Sequence, residues 1–242
     1  MAAKFTNLEG KDFVDPEIIT ENIEHSWYSY PQAGKALHPF AGVTAPNYTG
    51  PKEGTKTNWK YLDEKGKYSW IKTPMWRGKM AEVGPLARYI VTYVKVKQGL
   101  MQPTWAEKMI VDQIDGVSKV LGAPAHVWMC STVGRTACRG LEAQVMAYIN
   151  KYFFDKMIKN IRNGDTATAN MSKFEPASWP KEAKGVGLHE APRGALGHWI
   201  QIKNGLTANY QAVVPSTWNA CPRDSKAGSG AYESSMIETK IK

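Results

Sequence analysis

Cysteine is scarce in this sequence, which contains three in 242 residues, at Cys130, Cys138 and Cys221. The number is odd and no two of them form a CxxC pair, so the sequence indicates neither a disulfide framework nor a zinc site. The simplest interpretation is that all three are small buried thiols.

Long apolar runs are also missing. No stretch approaches the roughly 20 consecutive apolar residues that a membrane-spanning helix requires. Residues Met1–Asp15 contain no apolar run behind a basic start, so the sequence predicts no secretory signal peptide there. We therefore expect any export to depend on a partner.

Acidic residues are outnumbered, and the formal net charge is +9 with a pI near 9.3. Such a balance permits nucleic-acid binding. The lysines, however, are scattered through 52–72, 151–159 and 181–184 with acids between them. No tract combines dense basic charge with a nucleic-acid motif, so this class of function is disfavoured.

Aromatic residues, in contrast, are abundant, with nine tryptophans and eleven tyrosines. Large aromatics dominate protein cores and permanent interfaces, so this content favours an assembly. Residues 28–66 are rich in Pro, Gly and Asn, which break regular structure, but they also contain Tyr28, Tyr30, Phe40, Tyr48, Trp59 and Tyr61. Because disordered segments are poor in aromatics, the sequence predicts a long ordered loop here.

Three helices are predicted from the recurrence of apolar residues at three- and four-residue steps. The first covers Ala81–Val96, and the second runs from about Thr104 to Leu121 with Pro103 in its first turn. The third runs from near Thr132 to Asn163, where Gly164 supplies a left-handed stop.

The pattern changes after Asp165 to turns, glycines and prolines through Gly197, and a hairpin follows. His198–Lys203 and Leu206–Val214 flank Asn204-Gly205, the strongest short-range hairpin signal, because both turn residues must accept positive φ. The predicted fold class is therefore mainly α with a small antiparallel β element.

Residues Gly185–Trp199 are the most promising place for chemistry. The glycines allow close approach of the backbone to a ligand, and Arg193 offers a planar set of donors for an anionic or strongly accepting group. A tight loop whose arginine forms a buried salt bridge is an equal alternative. His189 and His198 could bind a metal, but their spacing favours hydrogen-bonded structural roles.

The segment Glu190–Trp199 resembles the signature of nickel–iron hydrogenase large subunits. Further matching segments follow the family's order along nearly the whole chain. They are His25–Tyr28, Leu37–Pro39, Gly42–Thr44, Tyr68–Lys72, Trp76–Gly78, Glu82–Tyr89, Ser131–Thr136, Gly164–Asn170 and Val213–Asn219.

This resemblance implies an uptake-type enzyme that converts hydrogen reversibly into protons and electrons. The family's nickel–iron centre carries cyanide and carbon monoxide and is held by four cysteines in two CxxC motifs. Thiolates suit such soft metals. Neither motif occurs in these 242 residues, so we expect this chain to supply none of the nickel–iron cysteine ligands.

The resemblance also implies roles for residues around that centre. Arg193 would lie above the open position between nickel and iron and donate to a cyanide, with Pro192 completing the pocket wall. Ser216 would donate to the other cyanide, and the backbone carbonyl of Ala212 would reach a magnesium site. Groups of this kind orient ligands and tune the metal.

The partners implied are an iron–sulfur small subunit, the remaining large-subunit segments and, through the complex, a membrane cytochrome. The location implied is periplasmic or membrane-associated through the small subunit, with a cytoplasmic location as the alternative. Residues 1–242 would form a partial large-subunit domain, with aromatic-rich loops and short elements over 1–78, a helical core over 79–164 and a turn-rich segment with the hairpin over 165–242. The alternative is a non-catalytic remnant or interaction module that retains the fold.

Overall fold

The computed structural model describes residues 18–32, 36–50 and 65–237. The chain divides into two compact units. One unit, called the sheet unit below, takes the residues up to Gly84 and those from Glu182 onward, and the other, the helical unit, takes Pro85–Lys181. No helix among the described residues is long and apolar enough to cross a membrane.

The helical unit contains four α-helices. They are α1 (Pro85–Lys97), α2 (Trp105–Leu121), α3 (Ala125–Met129) and α4 (Thr132–Arg162), followed by a 3-10 turn at Pro176–Ser178. The three predicted helices are confirmed as α1, α2 and α4, whereas the short α3 was not predicted.

Local capping explains where α2 and α4 begin and end. Thr104 is the N-cap of α2, and its N–H donates to the Glu107 carboxylate over 2.8 Å. Pro103 therefore lies before the helix rather than in its first turn. Ser131 caps α4 by accepting a 2.9 Å hydrogen bond from the Gly134 N–H. Gly164, at φ 85°, follows the end of α4, as predicted.

The core of the helical unit lies between the four helices. Its buried members are Leu86, Tyr89, Ile114, Trp128, Met129 and Cys138. The Trp128 indole donates to the Ser118 hydroxyl over 2.9 Å, and Arg88 makes two hydrogen bonds, of 2.6 and 2.7 Å, to Glu142. Only the first half of α4 takes part, because its buried residues are Gly134, Cys138 and Val145.

The sheet unit begins with two short antiparallel strands, β1 (Ile19–Asn22) and β2 (Thr73–Trp76), paired with Ile19 opposite Trp76. The intervening segment, predicted as a loop, contains only a 3-10 turn at Pro39–Ala41 and isolated bridges in its described parts. Its Trp59 and Tyr61 lie outside the described residues.

A three-stranded antiparallel sheet forms the rest of the sheet unit. Its strands are β3 (Glu182–Ala191), β4 (Gly194–Lys203) and β5 (Leu206–Val213), in that order. The predicted Asn204-Gly205 hairpin is confirmed as the β4–β5 turn, with φ of 53° and 74°. Two short helices follow, α5 (Pro215–Asn219) and α6 (Ala231–Met236).

The prediction of a turn-rich segment from Asp165 to Gly197 is wrong from Glu182 onward. These residues form β3 and the start of β4, paired over their full length from Glu182 opposite Lys203 to Ala191 opposite Gly194. The glycines at 185 and 187 lower the intrinsic strand propensity of β3. Pairing with β4, which local composition does not reveal, stabilises the strand.

One face of the three-stranded sheet forms the core of the sheet unit. Trp199, 2% exposed, and Val213, fully buried, pack there with Ile18, Ile19, Val83, Ala195 and Trp218. Residues paired across antiparallel strands share a face. The pairs His189–Leu196 and His198–Ala212 therefore lie on the opposite face.

Candidate functional site

Arg193 lies in the two-residue turn that joins β3 to β4. Pro192 and Arg193 occupy the turn, both with exposed side chains, between the paired residues Ala191 and Gly194. Gly194 is buried and has φ 134°, a conformation that L side chains rarely adopt. The arginine therefore extends from a turn whose conformation the following glycine permits.

The turn presses closely against the segment that precedes α1. A Cβ added to Gly194 would lie 2.5 Å from Val83 Cγ2 and 2.7 Å from the Gly84 nitrogen. A Cβ on Gly84, itself at φ 129°, would lie 3.0 Å from the carbonyl oxygen of Arg193. Both glycines are therefore required for this approach, and the backbone of Arg193 has little freedom to shift.

Asn219, the last residue of α5, fixes the same segment from the other side. Its amide Nδ2 donates to the Val83 carbonyl over 2.8 Å, and its Oδ1 accepts from the Val83 N–H over 2.9 Å. Val83 and Asn219 are 3% and 9% exposed, so this pair of hydrogen bonds is shielded from water. We call this paired contact the Asn219 bracket, and sequence reasoning did not identify it.

Ala212 lies near the end of β5, and Ser216 lies with Asn219 in α5, the helix that follows this strand. Ala212 is the second-last residue of β5 and partly buried, while Ser216 is the second residue of α5 and exposed. The turn at Arg193 and the helix of Ser216 are thus both linked to Val83, Arg193 through Gly194 and Ser216 through Asn219. The structure brings the predicted residues to one unit and gives Arg193 and Ser216 a common support.

The two histidines differ in their surroundings. The His198 Nδ1 forms a short hydrogen bond with the Tyr210 hydroxyl on β5, which is the structural role that the sequence favoured. His189 is exposed on β3. No group of three or more His, Cys, Asp or Glu side chains able to hold a metal occurs among the described residues.

The three cysteines do not form a ligand set. Cys138 and Cys221 are buried, but Cys130 is exposed, so the prediction of three buried thiols is wrong for Cys130. Burial raises the pKa of Cys138 to about 11 and that of Cys221 to about 12. Soft metals bind thiolates, so two buried, protonated thiols in different units do not fit a nickel–iron centre.

A buried ion pair lies beneath the β5 strand and was not predicted. Lys72 Nζ lies 3.7 Å from Glu21 Oε2 and donates to the Val43 carbonyl over 2.9 Å and to Gln211 Oε1 over 3.2 Å. Glu21 is 3% and Lys72 7% exposed. Burial raises the pKa of the Glu21 carboxyl, and the nearby Lys72 opposes that rise. This network anchors the residue next to Ala212.

Comparisons with known proteins place the chain in a family. The model of the nickel-dependent hydrogenase family matches residues 3–242. The uptake hydrogenase large subunit of Rhodobacter capsulatus is 49% identical over 232 residues, covering 95% of this chain and 37% of that protein. The hydrogenase-1 large chain of Escherichia coli K12 is 46% identical over 238 residues, covering 98% and 38%.

A solved structure agrees with the sequence matches. The reduced, active form of the Ni-Fe-Se hydrogenase from Desulfomicrobium baculatum has a TM-score of 0.61 and 28% identity, covering 90% of this chain and 38% of that one. The chain thus spans less than two fifths of the relatives' length. Because the family model matches almost every residue, the chain belongs to the nickel-dependent hydrogenase family.

Proposed function

We propose that this chain is a component of a nickel–iron hydrogenase that oxidises hydrogen reversibly to protons and electrons. The observation that carries the proposal is the family match over residues 3–242, which includes both the Arg193 turn and α5. Relatives named as uptake hydrogenase large subunits favour the oxidation direction.

Arg193 and Ser216 are the side chains that we assign to the metal centre. Each is exposed on a backbone that has little freedom, Arg193 beside Gly194 and Ser216 on the helix that ends at Asn219. They would donate hydrogen bonds to the cyanide ligands, with Pro192 in the pocket wall. Fixed donors in a site shielded from water stabilise developing charge far better than mobile ones.

The metals themselves would be held by residues outside this chain. The described residues offer no converging thiolates, and we therefore expect the four cysteine ligands of the nickel–iron centre in another polypeptide segment. The backbone carbonyl of Ala212 would serve a magnesium ion, whose preferred ligands are oxygens. Iron–sulfur clusters would belong to the partner subunit.

The proposed partners are the remaining large-subunit segments and an iron–sulfur small subunit. A partly exposed aromatic cluster in the sheet unit suits a permanent interface. Its members are Trp27, Tyr28, Tyr48 and Trp70, and the rings in contact have centroids 4.8–5.9 Å apart. Tyr48 and Trp70 are 51% and 48% exposed. Aromatics of this kind are enriched in interfaces. A periplasmic or membrane-associated location would follow from the small subunit, and a membrane cytochrome would be a partner through the complex.

Metal analysis and turnover test this proposal together. The chain, tagged and isolated from the cells that produce it, should retain an iron–sulfur polypeptide and stoichiometric nickel, and should reduce dye with hydrogen. The chain produced alone should bind no stoichiometric nickel–iron centre and should not reduce dye. A native assembly without nickel and without hydrogen-dependent dye reduction would instead support a non-catalytic interaction module.

A further inference from the structure

The two side chains assigned to the cyanide ligands share one support. The turn of Arg193 rests on Val83, since a Cβ added to Gly194 would lie 2.5 Å from Val83 Cγ2. Ser216 lies three residues before Asn219 in α5, and Asn219 holds Val83 through the Asn219 bracket. Three segments that are far apart in the sequence therefore meet at one buried residue.

The Asn219 bracket fixes the position of Val83 more tightly than packing alone can. Its two hydrogen bonds, of 2.8 and 2.9 Å, engage both the carbonyl and the N–H of this residue, so they set the distance and the orientation of α5 relative to it. Apolar packing also joins the three segments, because Ala195 and Trp218 belong to the same core cluster as Val83. Packing is non-directional, however, and it permits small shifts that hydrogen bonds resist.

Two donors that bind neighbouring ligands of one metal centre need a fixed separation. A hydrogen bond weakens steeply once its distance or angle departs from the preferred values. If Arg193 and Ser216 rested on independent supports, a shift of either support would weaken one bond and leave the other unchanged. Because both rest on Val83, their spacing is set by one contact region. Donors that are fixed in advance stabilise charge better than donors that must reorganise.

We propose that Asn219 is a positioning residue of the hydrogenase reaction, which aligns Arg193 and Ser216 together through the backbone of Val83. This rests on the proposed function, in which those two side chains donate hydrogen bonds to the cyanide ligands. Asn219 is 9% exposed, and each polar atom of its amide is hydrogen-bonded to Val83. Its effect on the metal centre is therefore exerted through the two donors.

Infrared spectroscopy of the intact enzyme tests this alignment directly. The stretching frequency of a cyanide ligand changes when the hydrogen bond to its nitrogen changes. Arg193→Lys and Ser216→Ala should therefore each shift mainly one of the two cyanide bands. Asn219→Ala should shift or broaden both bands, because it releases the support that the two donors share.

Two controls separate positioning from a loss of stability. Ile114→Ala removes a fully buried side chain from the core of the helical unit, whereas Val83 belongs to the sheet unit. It should destabilise the chain to an extent comparable with Asn219→Ala, yet leave both cyanide bands in place. Thr217→Ala, in the same helix as Asn219, should also leave both bands unchanged.

A second variant separates the hydrogen bonds from the volume of the side chain. Asn219→Leu fills a similar volume but can neither donate to nor accept from Val83. It should also shift both bands, and it provides the measurement if Asn219→Ala does not assemble with nickel. Hydrogen oxidation by either variant should fall by about tenfold to 10²-fold at equal nickel occupancy, since a misplacement of about 1 Å costs up to about 10²-fold.

The outcomes separate this role from the proposed function. Bands that shift in both Asn219 variants and not in the two controls would support the role. Unchanged bands in the Asn219 variants, a shift of one band only, or an equal shift in Ile114→Ala would each refute the positioning role and leave the function in place. An assembly of the unaltered chain without cyanide bands would instead refute the proposed function, and the positioning role with it.

Discussion

The Asn219 bracket should make a measurable contribution to stability, and Asn219→Ala removes it. Both hydrogen bonds to Val83 are lost, and the Val83 N–H and carbonyl stay buried, because this residue is only 3% exposed. An unsatisfied buried backbone group costs about 1–3 kcal/mol. With two such groups, the free energy of unfolding should fall by about 2–6 kcal/mol.

Urea unfolding followed by tryptophan fluorescence measures this loss. The matched control is Thr217→Ala in the same helix, where the structure records no side-chain hydrogen bond, and it should change stability by less than about 0.5 kcal/mol. Amide hydrogen exchange at Val83 should accelerate in Asn219→Ala alone. Equal stability of the two variants, or unchanged exchange at Val83, would refute the inference that the bracket holds this segment in place.

Three further predictions concern charges and thiols. Lys72→Met should lower the free energy of unfolding, measured by urea titration, by about 3–5 kcal/mol near pH 8, because it leaves the buried Glu21 carboxylate unpaired. The loss should shrink towards pH 4, because the raised pKa of Glu21 favours its neutral form. The double variant Lys72→Met with Glu21→Gln should recover much of the lost stability. Iodoacetamide at pH 7.5 should modify Cys130 alone in the folded chain, because Cys138 and Cys221 are buried and their burial raises the pKa of both thiols. In urea all three cysteines should react, as counted by intact mass. Rapid modification of a second thiol in the folded chain would contradict this prediction. In the intact enzyme, Arg193→Lys should reduce hydrogen oxidation by about 10²-fold or more at equal nickel occupancy, because lysine lacks the planar set of donors. Near-normal turnover would assign a structural role to Arg193. Loss of nickel would instead indicate a role in assembly.

The helices were predictable to the extent that their signals are local. Thr104 with Glu107 and Gly122 mark the ends of α2 within a few residues, and the predicted bounds differ from the observed Trp105–Leu121 by one residue. The start of α1 was predicted too early, at Ala81. The helix begins at Pro85, because proline is favoured in the first turn and disfavours helical backbone in the preceding residue, here Gly84 at φ 129°.

For β3, the local sequence signals predicted the wrong structure. Its sequence contains Gly185 and Gly187 and reads as a turn-rich segment, yet the strand is ten residues long. Strand formation depends on the partner strand more than on intrinsic propensity, and β4 supplies a partner for every residue of β3. The alternation of Gly185, Gly187 and His189 with Val186 and Leu188 was the available signal, and the glycines obscured it.

The support of Arg193 was beyond sequence reasoning for a further reason. A motif can name the arginine, because the Pro-Arg-Gly order fixes the local turn, but the aim of its side chain depends on what the turn rests against. Gly194 meets Val83 and Gly84, and Asn219 holds Val83 from α5. Val83 and Asn219 lie inside two segments that resemble the family, Glu82–Tyr89 and Val213–Asn219. The resemblance therefore includes both residues but does not show that they are in contact. The folded chain shows that the turn of Arg193 and the helix of Ser216 both rest on the buried backbone of Val83 and Gly84. A change at Asn219 should therefore disturb the positions of both side chains together.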